Sequence, residues 1–200
     1  MKKIMLLMVS ILFLGCTKED GQDIEDDDFS AYYGGTPFKG TASGIRLQDD
    51  QDNYTWEGTG RVALIESSLD SVSLVFMADF GNEGEINLKM RGKTEGSAFR
   101  LETEDPSNFF RVIDGKITGS TENHLQKMFF EGSMEKEQVN MAVEVQFKEA
   151  EGAFPKGSRL RLRFNTSRNI TDNDNGSGCQ MRLVPIWSPN GMTMGMVPDC

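Results

Sequence analysis

The chain has 200 residues, 38% of them hydrophobic, with 21 Gly, 13 Phe and a formal charge of −10. That length holds one domain, or one domain with appendages, and a core of useful size. Its acidic balance repels nucleic acid, so no nucleic-acid partner is expected, and Gly-rich composition without long helical periodicity suits a turn-rich β protein.

Met1-Lys2-Lys3 is a short cationic start, and 4–14 is an apolar run interrupted only by Ser10. The run is too short to cross a hydrocarbon core of ~30 Å as a helix. It has the dimensions of a secretion signal. It ends Phe13-Leu14-Gly15-Cys16. This resembles the lipobox of bacterial lipoproteins, with Leu14 where a smaller residue is usual. The resemblance implies removal of residues 1–15 and lipidation of Cys16, with palmitate among the acyl groups, and so a membrane partner held through the anchor. Without Lys2 and Lys3 the net charge becomes −12, 31 acidic against 19 basic residues.

Residues 16–35 are expected to be an acidic flexible tether, because Thr17 to Asp28 is almost wholly polar and cannot bury enough apolar area to fold. Lys18-Glu19-Asp20 resembles the export tag of surface lipoproteins in certain Gram-negative bacteria. An outer-membrane, surface-facing location is therefore expected, with a periplasm-facing one as the alternative.

Residues 36–167 alternate with period two. Val72, Leu74, Phe76, Ala78 and Phe80 alternate with Ser71, Ser73, Val75, Met77 and Asp79. Ile86, Leu88 and Met90, then Val139, Met141, Val143, Val145 and Phe147, then Leu160, Leu162 and Phe164 repeat the pattern. Such segments put one apolar face on a core and one polar face in water, as antiparallel strands do. Further strands are expected over 39–47, 54–66, 97–104, 109–118, 126–134 and 180–187. Turn residues separate them at Gly81 to Gly84, Arg91-Gly92-Lys93, Asp105-Pro106-Ser107-Asn108, Asp114-Gly115 and Pro155-Lys156-Gly157. Helical turns are possible over 119–127 and 148–156. The expected fold is all-β, an antiparallel barrel of about 8–10 strands, with a β-sandwich as the alternative.

A Gly-rich first strand followed by an antiparallel meander in a lipoprotein resembles the lipocalin-like (calycin-like) lipoproteins across roughly 36–167. The lipocalin Gly-x-Trp signature is missing; Trp56 sits instead in Tyr54-Thr55-Trp56-Glu57-Gly58. The resemblance implies a small apolar ligand inside the barrel, lined by inward-facing Phe76, Phe80, Val143 and Phe147.

Residues 168–200 read as a polar loop followed by a terminal hairpin turning at Ser188-Pro189-Asn190-Gly191. With Cys16 lipidated, Cys179 and Cys200 are an even pair in an oxidising compartment, so a disulfide is expected. It closes a loop of about 22 residues, for a contribution of about 3 kcal/mol.

Catalytic and metal motifs are weak. His124 is the single histidine, in an apparent loop, without a Gly-x-Ser-x-Gly elbow for a serine nucleophile. One histidine does not make a zinc site. Thr171 to Gly176 resembles a calcium loop, but its first and twelfth positions, Thr171 and Arg182, are wrong for ligands. Met192, Met194 and Met196 offer thioethers to Cu(I) or simply a packing face. Arg159, Arg161 and Arg163 share one strand face, either as a docking stripe for anions or as cross-strand partners of acids such as Glu144. Asp70-Ser71-Val72 resembles a short acceptor motif for bacterial O-glycosylation. The chain is therefore expected not to be an enzyme and to use no metal or cofactor. Its expected role is binding: a small apolar ligand in the barrel or, alternatively, a protein partner, as a secreted hydrolase inhibitor or adhesin subunit. The second role would use loops 105–109 and 165–178.

Overall fold

A computed structural model describes residues 28–48, 51–68, 71–151, 154–168, 180–188 and 191–199, and the side chains of 48, 51–53, 66–68 and 180–199 lie outside that description. Cys16, Cys179, Cys200, the signal, most of the tether and the 171–176 loop also fall outside the described residues.

Ten strands follow one another as β1 (Phe38–Gln48), β2 (Gln51–Ser68), β3 (Ser71–Asp79), β4 (Glu85–Glu95), β5 (Ala98–Leu101), β6 (Phe109–Ile113), β7 (Lys116–Glu122), β8 (Gln126–Met134), β9 (Gln138–Phe147) and β10 (Arg159–Ser167). Each pairs antiparallel with its neighbour in sequence, and β10 returns to β1 from Lys39↔Ser167 to Leu47↔Arg159. The result is a closed up-and-down barrel rather than a sandwich. Closure removes the exposed edges that so many strands would otherwise leave open.

The alternation places the core. Phe76, Leu74, Leu88, Met90, Phe99, Val112, Ile117, Val139 and Val143 all point inward with no accessible area. Their intervening neighbours form the outer surface. Inward glycines make room for the rings: a Cβ on Gly92 would collide with the Phe99 ring and the Arg100 carbonyl. Asp114 and Gly115 hold φ of 49° and 70° in the two-residue β6–β7 turn, the left-handed conformation such a hairpin needs.

Four expectations need correction. Residues 29–33, assigned to the tether, form helix α1 (Phe29–Tyr33). Asp28 caps it by accepting from the Ser30 N–H at 2.8 Å. Phe29 and Tyr33, four residues apart, meet with tilted rings 4.5 Å between centroids and bury themselves in the barrel end, because an i,i+4 aromatic pair supplies the apolar face the acidic stretch lacks. Residues 119–127 hold no helical turn; they continue β7 and enter β8, since Ile117 and Thr121 both point inward with period two. The strand expected over 109–118 is two strands, split at Asp114-Gly115. The turn expected at Arg91-Gly92-Lys93 is instead a continuous part of β4, where Gly92 faces inward beneath the Phe99 ring.

Arg168, expected at the start of a loop, is 7% exposed. Its guanidinium donates to five backbone carbonyls: Lys136 at 2.7 Å, Tyr32 at 2.8 Å, Tyr33 at 3.0 Å, Gly34 at 2.6 Å and Thr36 at 3.3 Å. It also lies 4.3 Å from the Phe38 ring centroid. These contacts tie α1 across the barrel end, and burial lowers the Arg168 pKa.

Beyond the barrel, β11 (Gln180–Ser188) and β12 (Gly191–Asp199) pair antiparallel as a hairpin, and β11 meets β4 in parallel at Trp187↔Leu88.

Candidate functional site

The lumen is filled. Phe76 packs 6.2 Å from Phe110 and 5.8 Å from Phe164, Phe110 lies 5.2 Å from Phe130, and Phe147 stacks on Phe154 at 4.6 Å. Side chains lining a void large enough for water keep accessible area. Phe76 and Val143 have none, Phe147 keeps 2% and Phe80 9%. The four residues expected to line a ligand thus share one core cluster and pack against neighbouring side chains. A ten-stranded barrel of this size fills when enough of its inward positions carry Phe and Met.

The outer wall is different. Phe109 and Phe129 are 41% and 37% exposed. The registers Phe109↔Ser120 and Ser120↔Phe129 put both rings in one row across β6, β7 and β8. Two strand spacings separate them by ~10 Å, with small Ser120 between. Each ring carries a cation: Arg111 lies 5.6 Å from the Phe109 centroid and Lys127 5.0 Å from that of Phe129. The row continues through Phe129↔Glu144 and Glu144↔Arg161. The next row runs Arg111, Thr118, Glu131, Ala142, Arg163. Ala142 is short between two long side chains, and the wall there sinks into adjoining grooves of about 590 and 830 Å³.

Of the arginine stripe, Arg161 bonds Glu144 at 3.1 Å and Arg159 lies 3.9 Å from the same carboxylate. The Arg161 hydrogen bond holds the Glu144 carboxyl below its ordinary pKa. Cross-strand pairing therefore accounts for two of the three. Arg163 has no ion-pair partner among the described residues and lines both grooves.

Loop 105–108 is held by its own hydrogen bonds. Asp105 accepts from the Ser107 N–H at 2.8 Å and hydroxyl at 2.7 Å, which lowers its pKa. Asn108 is pinned to β7 by accepting from the Glu122 N–H at 2.6 Å. The loop hands Phe109 directly to the outer face. Of the other loop, only 165–168 is described, on and just after β10.

His124 is exposed in the turn before β8. Ser71 is 5% exposed, so its hydroxyl is covered rather than presented for glycosylation. No group of three His, Cys, Asp or Glu side chains is arranged for a metal among the described residues. Met192, Met194 and Met196 fall on β12, where side chains lie outside the description.

The sequence reading took Phe109 only as the end of loop 105–109 and passed over Phe129. The signal was there: Phe109-Phe110 and Phe129-Phe130 are doublets inside strands, and period two sends one ring of each outward.

Comparison with known protein families, curated proteins and solved structures gives no match. The fold defines the class: an all-β protein built on a closed ten-stranded antiparallel barrel, an architecture compatible with a lipocalin-like fold.

Proposed function

We propose that this is a lipid-anchored, non-enzymatic recognition protein whose barrel is a filled scaffold and whose β6–β10 outer face binds a protein partner. The observation that carries this reading is the exposed Phe109–Phe129 pair, set beside Arg163 and a groove on an otherwise polar wall. Aromatic rings flanked by arginine are the side chains that dominate protein–protein contacts. A filled lumen weighs for the wall over the interior as the binding surface. Cys16 supplies the anchor, the residues after it hold the domain off the membrane, and the outer-membrane surface is the proposed location.

The test places a photocrosslinking side chain at position 129 in cells that make the protein. A discrete protein adduct is expected there and not from Thr59, an outward position on β2 remote in register from the aromatic row. Absence of an adduct at 129 refutes the reading. Native against denatured mass of the purified domain tests the lumen separately, and a ligand mass lost on denaturation would return the function to the barrel interior. Cys16→Ser is expected to release the protein from the membrane fraction.

A further inference from the structure

The wall of β6–β10 carries a charge opposite to that of the chain. The protein as a whole is acidic, at −10. These five strands nevertheless hold six Lys and Arg against three Glu, and period two sends all of them outward. Pairing within the wall consumes part of each set: Glu144 takes Arg159 and Arg161, and Glu122 takes Lys127. Arg111, Lys116 and Arg163 form no ion pair among the described residues, and Glu131 is the one carboxylate of the wall in the same condition. Arg111 stands by the Phe109 ring, while Lys116 and Arg163 line the larger groove together with Phe109 and Glu131.

We infer that the partner of this wall is an acidic polypeptide, one that lays an apolar side chain against Phe129 and a carboxylate on Arg163. The inference rests on the reading of β6–β10 as a protein-binding face and names the chemistry of what binds there. Charge selects the partner: cations without ion pairs around a groove of about 830 Å³ attract carboxylates and repel basic surfaces. Arg163 suits the contact, because a planar guanidinium meets a carboxylate through two parallel N–H···O bonds. Register sets the spacing. Arg163 lies two strands from Phe129 and two residues farther along, through Phe129↔Glu144 and Glu144↔Arg161. At ~4.8 Å per strand and ~3.4 Å per residue the separation is roughly 12 Å, the length of about three or four residues of extended chain. Glu131 shares both grooves with Arg163 and repels the same carboxylate, so its removal tightens binding of an acidic partner, an effect that purely apolar docking does not produce.

The test titrates the full mature chain with a short fluorescent peptide that carries one Phe and, three and four residues on, two Glu. A twin peptide carries Gln in their place, and binding is read by anisotropy. The Glu peptide is expected to bind more tightly than its twin. Arg163→Gln is expected to weaken the Glu peptide about fivefold and Glu131→Gln to tighten it about twofold, the scale of partly exposed charge pairs. Lys89→Gln removes the same charge from β4, four strands from β8 and from β10, and is expected to leave binding unchanged. No binding up to millimolar peptide, equal binding of the two peptides, or equal effects of Arg163→Gln and Lys89→Gln overturns the inference. A discrete protein adduct at position 129 in cells, obtained alongside any of those results, keeps the wall as a protein-binding face and strikes only its acidic partner. Absence of that adduct refutes the broader reading and this inference with it.

Discussion

Replacing Arg168 with alanine removes a side chain that ties α1 to the barrel, beside the Tyr33 hydroxyl that donates to the Met134 carbonyl at 2.9 Å, and its cost can be worked from the contacts. Five backbone carbonyls lose a charged donor at 2.6–3.3 Å. Hydrogen bonds to charged groups contribute about 1.5–3 kcal/mol each in isolation, and the Phe38 contact adds about 1 kcal/mol. These do not sum, because fraying of the barrel end lets the carbonyls of Tyr32, Tyr33, Gly34 and Thr36 reach water. A buried carbonyl left without its donor costs about 1–3 kcal/mol, and with water relieving most of the five the loss comes to about 3–5 kcal/mol. For a domain of this size that is a fall in Tm of about 6–20 °C, read by thermal denaturation followed by circular dichroism. Arg168→Lys is expected to fall between, since one ammonium with three donors cannot reach five carbonyls. Proteolysis should cut before residue 36 earlier in Arg168→Ala than in the parent, as Phe29 and Tyr33 leave the core. A Tm within 2 °C of the parent would refute the account of Arg168 as the tie.

The contrast between rings inside and outside the wall gives a second prediction. Phe76→Ala should destabilise by about 3–5 kcal/mol through the cavity it leaves, whereas Phe129→Ser should stay within about 0.5 kcal/mol while abolishing the crosslinked adduct from neighbouring positions on the wall. Gly92→Ala should lower Tm clearly, because its Cβ meets the Phe99 ring and the Arg100 carbonyl. The Glu144 carboxyl is held low by Arg161, so its contribution is full above the unfolded carboxylate value and disappears as pH falls through the lower folded one. Glu144→Gln should then cost a few tenths of a kcal/mol at pH 7, the scale of a mostly exposed pair, and nothing near pH 2; equal loss at both would refute the pairing as its source. The hairpin register ends on Gln180↔Asp199, the chain neighbours of Cys179 and Cys200. A denatured mass two hydrogens below the thiol form, restored by reductant, is the expected sign of a disulfide between them.

Much of the barrel was legible in the sequence. Alternation marked β3, β4, β9 and β10 because one face meets a core and the other water, and the Asp-Gly dipeptide marked a turn because few residues accept positive φ, although the strand expected over 109–118 ran across it. The candidate wall was half legible. Arg159, Arg161, Arg163 and Glu144 could be named, but which arginine goes unpaired depends on cross-strand register, and Phe109 and Phe129 become a pair only when β7 sets Ser120 between them.

The remainder belongs to distance in the chain. Arg168 is one basic residue near a run of Asn, Ser and Thr, and its partners are carbonyls 132–136 residues earlier together with Lys136. Backbone acceptors leave no mark in composition, so no local pattern announces the tie. β3 reads as a half-exposed strand because alternation reports the polarity of side chains, whereas burial of Ser71 and Ser73 reports what lies over them. The order of residues by itself thus determined the strands, their inward faces and the turns, all of which are local consequences of period and φ. Closure into ten strands, filling of the lumen and the choice of an outer face were decided by tertiary structure, because each depends on which distant segments exclude water from one another.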